Sequence, residues 1–377
     1  MAEDSRNQQE SGRRDFIKTA GVGLAAAGAL ACTTQPDTDS ATDSAADSAA
    51  APALTEEEKI ARIASNTWPA RRLFKQRPGG RPESDEAKAM KEKYGEITMM
   101  DFAQFTKDTW PGVTHMDLWS SLFGDVTDLS MFEEKTWTRG ERSRTFYEFD
   151  PSTASAKKWL DGLANKNASL GVKCVHVSNN APRNMSDFDE EKRKAGIQVA
   201  KHWLDASATL GAKTMRVNTG GPRVAPCAST ETGYPKNDEI VKYLDLCIDS
   251  FKQMAEYGEK VGVAVTIENH WGLSADPMII RVILDEVNSP FCKASPDYCN
   301  WEHEYHLYHG LKALVPYCTT IVHAKYWDRW ENPDVQRCTR IMEEGGFKGW
   351  YALEYEDGPW DGIEGANYLL EQVTAAL

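Results

Sequence analysis

Three acidic residues and one histidine recur along the last third of the chain at nearly equal intervals. Glu268, Asp297, His323 and Glu354 are separated by 29, 26 and 31 residues. Each lies in or just after a short, mostly apolar segment, of which VAVTIE at residues 263–268 is the clearest. Carboxylates and imidazoles bind metals and transfer protons, so this set could do either if the fold brings its members together.

The segments that carry these residues are typical of parallel strands covered on both faces. Residues 263–267 form an apolar run that ends on Glu268, a residue type that is almost never buried without a partner. From about residue 96, short apolar runs alternate with amphipathic segments, which indicates repeated βα units. We predict an α/β fold, a (β/α)8 TIM barrel with strands in EITMMDFAQF, VTHMDLW, GVKCVHVSNN, AKTMRVNTGG, VAVTIENHWG, FCKASPDYCNW, TTIVHAKYWD and GWYALEYEDG.

In such a barrel the active site forms where strands end and βα loops begin, so the four residues should converge. Three carboxylates in a buried mouth would repel one another and resist ionisation. A divalent cation removes this conflict, and three oxygen donors with one imidazole favour Mn²⁺, with Mg²⁺ or Co²⁺ as alternatives and Zn²⁺ less favoured. Taken singly, each residue has a structural alternative: a loop anchor for Glu268, a core hydrogen bond for His323 and a turn or helix cap for Asp297.

The N-terminal residues have the composition of a targeting segment. Residues 1–32 contain the RRDFIK motif and a short apolar run ending in ALAC, and they resemble a Tat export signal with a lipoprotein cleavage box. This resemblance implies a periplasmic or cell-envelope protein that is lipid-anchored at Cys32, although Ala29 stands where leucine is usual. The alternative is a cytosolic protein with an apolar N-terminal helix.

After the signal, the composition predicts a linker followed by a single domain. Residues 33–54 are rich in Ala, Ser, Asp and Thr, which predicts a disordered tether. Residues 55–377 then form the TIM barrel domain, with the barrel proper at about 96–377. We expect residues 55–95 to form two extra helices packed outside the barrel, the first beginning with a capping box made by Thr55 and Glu58.

Charge and cysteine patterns exclude several classes of partner. The formal net charge is −14, and no basic cluster is evident, which argues against nucleic acid as a partner. No glycine-rich phosphate loop is present either, which argues against a phosphorylated ligand. Seven cysteines follow Cys32 without a C-x-x-C pair, so we expect buried thiols rather than a zinc motif. The alternative that two of them form one disulfide stays open.

The motifs TIENHWG, PDYCNW, VHAKYWDR and YALEYE resemble the sugar phosphate isomerase/epimerase family, the xylose isomerase-like TIM barrels, over roughly residues 96–377. The resemblance implies that Glu268, Asp297, His323 and Glu354 are metal ligands. It also implies that Arg329 binds substrate, the alternative being a surface arginine. The chain departs from the ketose epimerases of this group at Asn300, where they carry a histidine. It also lacks most of the histidines of endonuclease IV, so DNA repair is not expected.

The resemblance implies an isomerase or epimerase that acts on a neutral, non-phosphorylated sugar or keto sugar and removes a proton next to its carbonyl through a metal-stabilised enediolate. The predicted acid–base residues are Glu268 and Glu354. A lyase of the same family, eliminating from a 3-keto-glycoside or inosose-like substrate, is the first alternative. Two other classes stay open: a sugar-binding lipoprotein without catalysis, and a hydrolase that uses a metal-bound water. A homo-oligomer is compatible with all of them.

Other residues near strand ends are candidates for contact with the sugar. We predict that the polar ones bind substrate, with structural hydrogen bonding as the alternative for each: His176, Asn218, His270 and Lys325. Four tryptophans near strand ends could stack on the sugar or pack in the core: Trp119, Trp271, Trp301 and Trp327.

Overall fold

The structure, a computed structural model, describes residues 53–77, 80, 82–139, 142–221, 237–330 and 333–377. The predicted signal peptide, Cys32, residues 33–52 of the linker and Cys227 lie outside these ranges. Within the described part, no helix combines the length and apolar character needed to cross a bilayer.

Eight parallel strands form one sheet in the order β8-β7-β6-β5-β2-β1-β10-β9. The two end strands of this sheet, β8 and β9, are joined by two bridges that close the barrel. These bridges pair Ala294 with Cys318 and Asp297 with His323. The predicted TIM barrel is therefore confirmed. The strands, including a separate hairpin, are β1 Ile63–Asn66, β2 His115–Trp119, β3 Phe132–Arg139, β4 Arg142–Phe149, β5 Lys173–Ser178, β6 Thr214–Arg216, β7 Ala264–Ile267, β8 Cys292–Ala294, β9 Ile321–Trp327 and β10 Trp350–Asp357.

Helices alternate with the barrel strands, and most begin at a side-chain cap. Thr55 and Glu58 form the predicted capping box of the first helix, and Asp189 accepts hydrogen bonds from the first turn of the helix after β5. Such caps satisfy backbone N–H groups that have no partner within the helix. The helices are α1 Glu56–Ala61, α2 Asp85–Tyr94, α3 Phe102–Thr109, α4 Ala154–Leu170, α5 Glu190–Thr209, α6 Asn237–Val261, α7 Pro277–Val287, α8 His306–Leu314, α9 Val335–Glu344 and α10 Gly362–Ala376.

The prediction for the first barrel strand is wrong. Residues 96–105 form no barrel strand; they lead through a turn into α3, whose buried residues Phe102, Ala103 and Thr106 follow helical spacing. The first strand is instead β1, which pairs with both β10 and β2. The barrel therefore starts at residue 63, and the predicted pair of extra helices, α1 and α2, flanks its first strand.

An antiparallel hairpin of β3 and β4 follows β2, and the sequence patterns did not predict it. Phe132 and Phe149 face each other across its base with ring centroids 6.0 Å apart. Phe149 also contacts Trp159 of α4 and Trp203 of α5, so the hairpin is anchored to the outer helices. Gly124 has φ +98°, and a Cβ there would lie 2.5 Å from Phe132, so only glycine fits the chain entering the hairpin.

The six described cysteines are unpaired and buried, as predicted for the thiols: Cys174, Cys247, Cys292, Cys299, Cys318 and Cys338. Burial raises the pKa of each thiol above its ordinary value. These groups therefore stay protonated and pack as small apolar side chains.

Candidate active site

The four residues predicted as metal ligands meet at the carboxyl ends of β7 to β10. Ligand atoms of Glu268, Asp297 and His323 all lie within 4.8 Å of one another, and these three residues are buried. Glu354 is also buried, 7% exposed, and its Oε2 lies 3.8 Å from Nδ1 of His323. Four neighbouring strands thus bring together the groups that the sequence spaces one βα unit apart.

The segment after β8 holds Asp297 by its backbone as well as its side chain. Asn269 clamps it with two hydrogen bonds, donating to the Asp297 carbonyl oxygen at 2.9 Å and accepting from its N–H at 2.7 Å. Oδ1 of Asp297 accepts from the backbone N–H groups of Cys299 and Asn300. Oδ2 accepts neither of these backbone hydrogen bonds, so it is the oxygen that can act as a ligand atom.

His323 is oriented by a carboxylate that the sequence analysis did not identify. Its Nε2 lies 3.0 Å from Oδ2 of Asp117 on β2 and 3.3 Å from Oγ of Ser178. Asp117 also accepts a hydrogen bond from Asn66 at 2.7 Å. A proton on Nε2 leaves Nδ1, 3.3 Å from Glu268, as the ligand atom. Histidines that bind metals are commonly oriented by a carboxylate in this way.

Two buried cations are paired with these carboxylates. Arg216 of β6 donates to Oε2 of Glu268 at 2.6 Å, while Asn300 donates to Oε1 at 2.9 Å. Nζ of Lys325 lies 2.9 Å from Oε1 of Glu354 and 3.1 Å from Oδ2 of Asp297. The Asn300 side chain therefore fixes the Glu268 carboxylate.

Glu356 is a third partner of the Lys325 ammonium, with Oε2 at 3.2 Å from Nζ. Arg216 and Glu356 were missed from the sequence, although an arginine inside the apolar run AKTMRV was a signal of a buried partner. Lys325, predicted to bind substrate, lies among carboxylates and lines the cavity described below.

The charges of the site leave room for a divalent cation. Among the described residues, five carboxylates converge here against two permanent cations, Arg216 and Lys325. The carboxylates are those of Asp117, Glu268, Asp297, Glu354 and Glu356. Without a metal, burial together with Glu354 and Glu268 raises the pKa of Asp297 to about 7. Burial lowers the pKa of His323, but the nearby Glu268 and Glu354 outweigh it and hold that pKa well above its usual value.

Protons on Asp297 and His323 would offset part of this negative charge, and a divalent cation would offset it in their place. In the described part of the chain, Asp297 Oδ2 and His323 Nδ1 are buried and lack a well-aligned hydrogen bond. The donor set of Glu268, Asp297, His323 and Glu354 therefore fits a divalent cation. The pKa of Glu268 shifts in the opposite direction to those of Asp297 and His323. Burial raises it, but Arg216 and His323 outweigh burial and hold it well below its usual value.

A cavity of about 230 Å³ opens above these residues, and we call it the active-site cavity. Arg216 and Asn300 line it and cover Glu268, whereas Glu354 lines it directly. Among the described residues, the lining is Asn66, Trp68, Trp119, Ser178, Asn180, Arg216, His270, Trp271, Asn300, Lys325, Trp327, Glu354 and Glu356.

The predicted substrate-binding residues divide into two groups. His270 and Lys325 line the cavity, and burial together with Arg216 lowers the pKa of His270 to about 4, so its imidazole is neutral. His176 and Asn218 are not in the lining; His176 is fully buried and bonds to Thr214 Oγ1 at 2.8 Å. Arg329 is not in the lining either.

Three of the four predicted tryptophans line the cavity, together with Trp68, which the sequence analysis did not single out. Arg329 lies over Trp271 at 4.9 Å and over Trp327 at 5.1 Å, so it supports two of these rings from behind. Trp301 is completely buried and bonds to the Tyr298 carbonyl, so it belongs to the core.

Comparison with known proteins agrees with this architecture. A family model described as xylose isomerase-like TIM barrel matches residues 138–373. The 3-keto-D-glucoside 4-epimerase from E. coli superposes with a TM-score of 0.54 at 12% identity, covering 82% of this chain and 98% of its own. No curated protein sequence matches the chain at a significant level.

Two further structures are similar in fold. A xylose isomerase-like TIM barrel protein from Mycobacterium smegmatis in complex with magnesium gives a TM-score of 0.51 at 14% identity, covering 85% of this chain and 98% of its own. D-allulose 3-epimerase from Methylomonas sp. in complex with D-allulose gives 0.52 at 12% identity, covering 74% and 91%. At these identities the likeness concerns the fold.

Proposed function

The chain belongs to the xylose isomerase-like TIM barrel family, and on that premise we propose that it is a divalent-metal-dependent isomerase or epimerase of a sugar or keto sugar. One observation carries the proposal: buried Glu268, Asp297 and His323 converge with Glu354 at the floor of a cavity. The reacting ring carries no phosphate, because Arg216 and Lys325 are already paired with carboxylates. The names of the similar epimerases and the magnesium bound by the M. smegmatis protein support the same choice.

Glu268, Asp297, His323 and Glu354 would hold the cation, with Mn²⁺ preferred over Mg²⁺ or Co²⁺. When bound, the ion supplies positive charge that stabilises the negative oxygen formed beside the carbon that loses its proton. Lys325 keeps two other acceptors, Glu356 Oε2 at 3.2 Å and Asn300 Oδ1 at 3.1 Å, so its ammonium stays neutralised.

Glu354 is the base that we assign to proton removal. It lines the cavity, and the Lys325 ammonium at 2.9 Å from its Oε1 fixes its orientation. Tryptophans on the cavity wall exclude water and offer flat faces to the apolar side of a sugar ring.

Glu268 does not have the surroundings of an acid–base group. Both of its oxygens are held, one by Arg216 and one by Asn300, and neither atom lines the cavity. We therefore assign Glu268 to the metal site alone. This arrangement favours a second candidate function, the β-eliminating lyase, since elimination needs one carboxylate base whereas epimerisation needs proton transfer on both faces.

The test is solvent deuterium exchange followed by NMR. The purified full-length protein, loaded with Mn²⁺, is incubated in D₂O with ketoses and 3-keto-glucosides. We expect deuterium at the carbon next to the carbonyl, and Glu354→Gln should lower the rate by about 10³-fold while the circular dichroism spectrum is unchanged. Asp357→Asn, an exposed carboxylate on the same strand, is the matched control and should exchange normally.

The outcomes separate the candidate functions. NMR signals of a new sugar, with no leaving group released, identify an isomerase or epimerase. Release of the aglycone identifies the lyase. Exchange in no substrate, or a full rate in Glu354→Gln, would remove the proposed function.

We further propose that the protein is exported by Tat and lipid-anchored at Cys32, on the resemblance of residues 1–32 to such signals. Cys32→Ser should abolish incorporation of labelled palmitate and release the protein from the membrane fraction. Labelling that survives the substitution would contradict this assignment.

A further inference from the structure

A second and larger cavity lies beside the active-site cavity. It has a volume of about 580 Å³, and β4 of the hairpin forms one of its walls, so we call it the hairpin cavity. Asn180 belongs to the lining of both cavities, which makes them neighbours. The lining is Arg77, Gly80, Ser120, Ser121, Arg144, Phe146, Tyr147, Glu148, Phe149, Asn180, Ala181, Arg183 and Trp203.

Among the described residues of this lining, positive charge exceeds negative charge. Three arginines stand against one carboxylate there, that of Glu148, which lies 2.6 Å from Lys135 and 3.3 Å from Arg183. Within the described ranges, Arg77 and Arg144 form no ion pair. Arg77 donates its hydrogen bonds to the carbonyl oxygens of Phe123 and Tyr147. Burial lowers the pKa of Arg77 to about 10, so the guanidinium is still charged at neutral pH.

The sizes of the two cavities indicate a substrate longer than one sugar ring. Ligand sites usually measure roughly 300–1,000 Å³, and the active-site cavity at about 230 Å³ is below that range. The hairpin cavity adds space on the far side of Asn180. Its half-buried rings of Phe146 and Tyr147 provide apolar faces, and its arginines provide forked donors for an anion.

We propose that the hairpin cavity binds an anionic second ring, a sugar bearing a carboxylate or a phosphate, of a glycoside whose reacting ring occupies the active-site cavity. This inference rests on the proposed function for the identity of the reacting ring. Arg77, Arg144 and Arg183 are the residues that recognise the anion, and Asn180 lies at the junction of the two rings.

Asn180 is hydrogen-bonded to both sites. Its Oδ1 accepts from Arg216 at 2.8 Å, and its Nδ2 donates to Ser121 Oγ at 3.3 Å. A ligand that spans the two cavities therefore contacts a side chain that is bonded to the partner of Glu268. The substrate class inferred here differs from the neutral sugar predicted from the sequence only in its second ring.

The test is equilibrium binding with three matched probes, measured by isothermal titration calorimetry on the full chain. The probes are a β-linked glucose disaccharide, the same disaccharide with a carboxylate at C6 of its second ring, and the same with a phosphate there. We expect at least one charged probe to bind about ten-fold more tightly than the neutral one, since a hydrogen bond between charged groups contributes that much. Comparing the two charged probes distinguishes carboxylate from phosphate.

The variants locate the effect. Arg144 is exposed and Arg183 bonds only to Glu148 in the described part, so Arg144→Ala with Arg183→Ala should leave the fold intact. The double variant should lose the preference for the charged probe and keep its affinity for the neutral one. Arg340→Ala, an exposed arginine on α9, is the matched control and should change neither.

Equal binding of all three probes by the wild-type protein would overturn the proposal, as would a preference that survives the double variant. Because binding is measured without turnover, this result is independent of the deuterium exchange test. Exchange without a charge preference refutes only the hairpin cavity proposal, and a preference without exchange refutes only the proposed function.

Discussion

The active-site cavity and the hairpin cavity share Asn180 but carry opposite charge. Their charged side chains also differ in how far they are buried and paired. In the active-site cavity carboxylates are in excess, and the side chains of Arg216 and Glu268 are 5% and 0% exposed. In the hairpin cavity guanidinium groups are in excess, and the Arg183 side chain is 65% exposed. The first arrangement fixes groups for chemistry, because buried charges must be paired. The second leaves donors available to a ligand.

The largest expected difference between the two cavities is their response to pH. Metal must displace protons from Asp297, whose pKa is raised to about 7, and from His323, whose pKa is also raised. Because both pKa values are raised, Asp297 and His323 of the metal-free protein bind protons more tightly than free side chains do. The metal must compete with these protons as the pH falls. Metal affinity should therefore drop about 100-fold per pH unit below pH ~6.5, about ten-fold for each proton.

Titration with a competing chelator at several pH values measures this slope. Binding of the carboxylated probe at the hairpin cavity should be unchanged over the same range, since guanidinium groups do not titrate there. A metal affinity independent of pH would contradict the assignment of Asp297 and His323 as ligands.

Removing one member of a charge pair should also affect the two cavities unequally. Arg216→Met leaves Glu268 buried without its partner and should lower the free energy of unfolding by about 3–5 kcal/mol. Lys135→Met, which breaks the half-exposed pair with Glu148, should cost less than about 1 kcal/mol.

Urea unfolding in the presence of a chelator gives both values. If Arg216→Met does not fold, the double variant Arg216→Met with Glu268→Met should recover a stable protein, because the unpaired charge is gone. An equal loss in the free energy of unfolding for Arg216→Met and Lys135→Met would contradict the difference proposed between the two cavities.

Asp117→Asn tests the residue that orients His323. An asparagine keeps the shape but has no negative charge to stabilise the Nε2 proton, so metal affinity should fall by about 10–100-fold. Asp205→Asn on α5, which also loses a carboxylate that accepts a hydrogen bond, is the control. Unchanged metal affinity in Asp117→Asn would show that the contact at 3.0 Å is structural only.

The smallest expected effect is that of ionic strength. Raising the salt from about 0.05 to about 0.5 M should weaken binding of the charged disaccharide a few-fold, because exposed charges are screened. Metal binding among buried groups should change less at constant pH. A charge preference that does not respond to salt would place the anion away from the exposed Arg144 and Arg183.

The same contrast explains what the sequence could predict. The ends of β7 to β10 carry polar residues after apolar runs at the period of the fold, so Glu268, Asp297, His323 and Glu354 were accessible to pattern analysis. Their convergence follows from the barrel alone. Asp117 on β2 and Arg216 on β6 are also charged residues within buried apolar segments. That pattern was the sequence signal that they belong to the same site.

Other features depend on contacts that no local pattern reveals. Strand β1 has the sequence IASN, with two apolar residues in four, and all four are buried because the barrel encloses them. The apolar residues of 96–105 resemble a strand but pack as a turn and a helix. Arg77, Arg144 and Arg183 come from two loops and an inserted hairpin, so their spacing follows no period that the sequence could reveal.

The most direct test of the central claim is the metal content of the protein. After the full chain is stripped with a chelator, reloaded with Mn²⁺ and desalted at neutral pH, elemental analysis counts the ions per chain. The account predicts about one ion for the wild-type protein and for Asp357→Asn, and none for Asp297→Asn. An equal content in Asp297→Asn, or a wild-type protein that retains no metal while catalysing exchange, would contradict it.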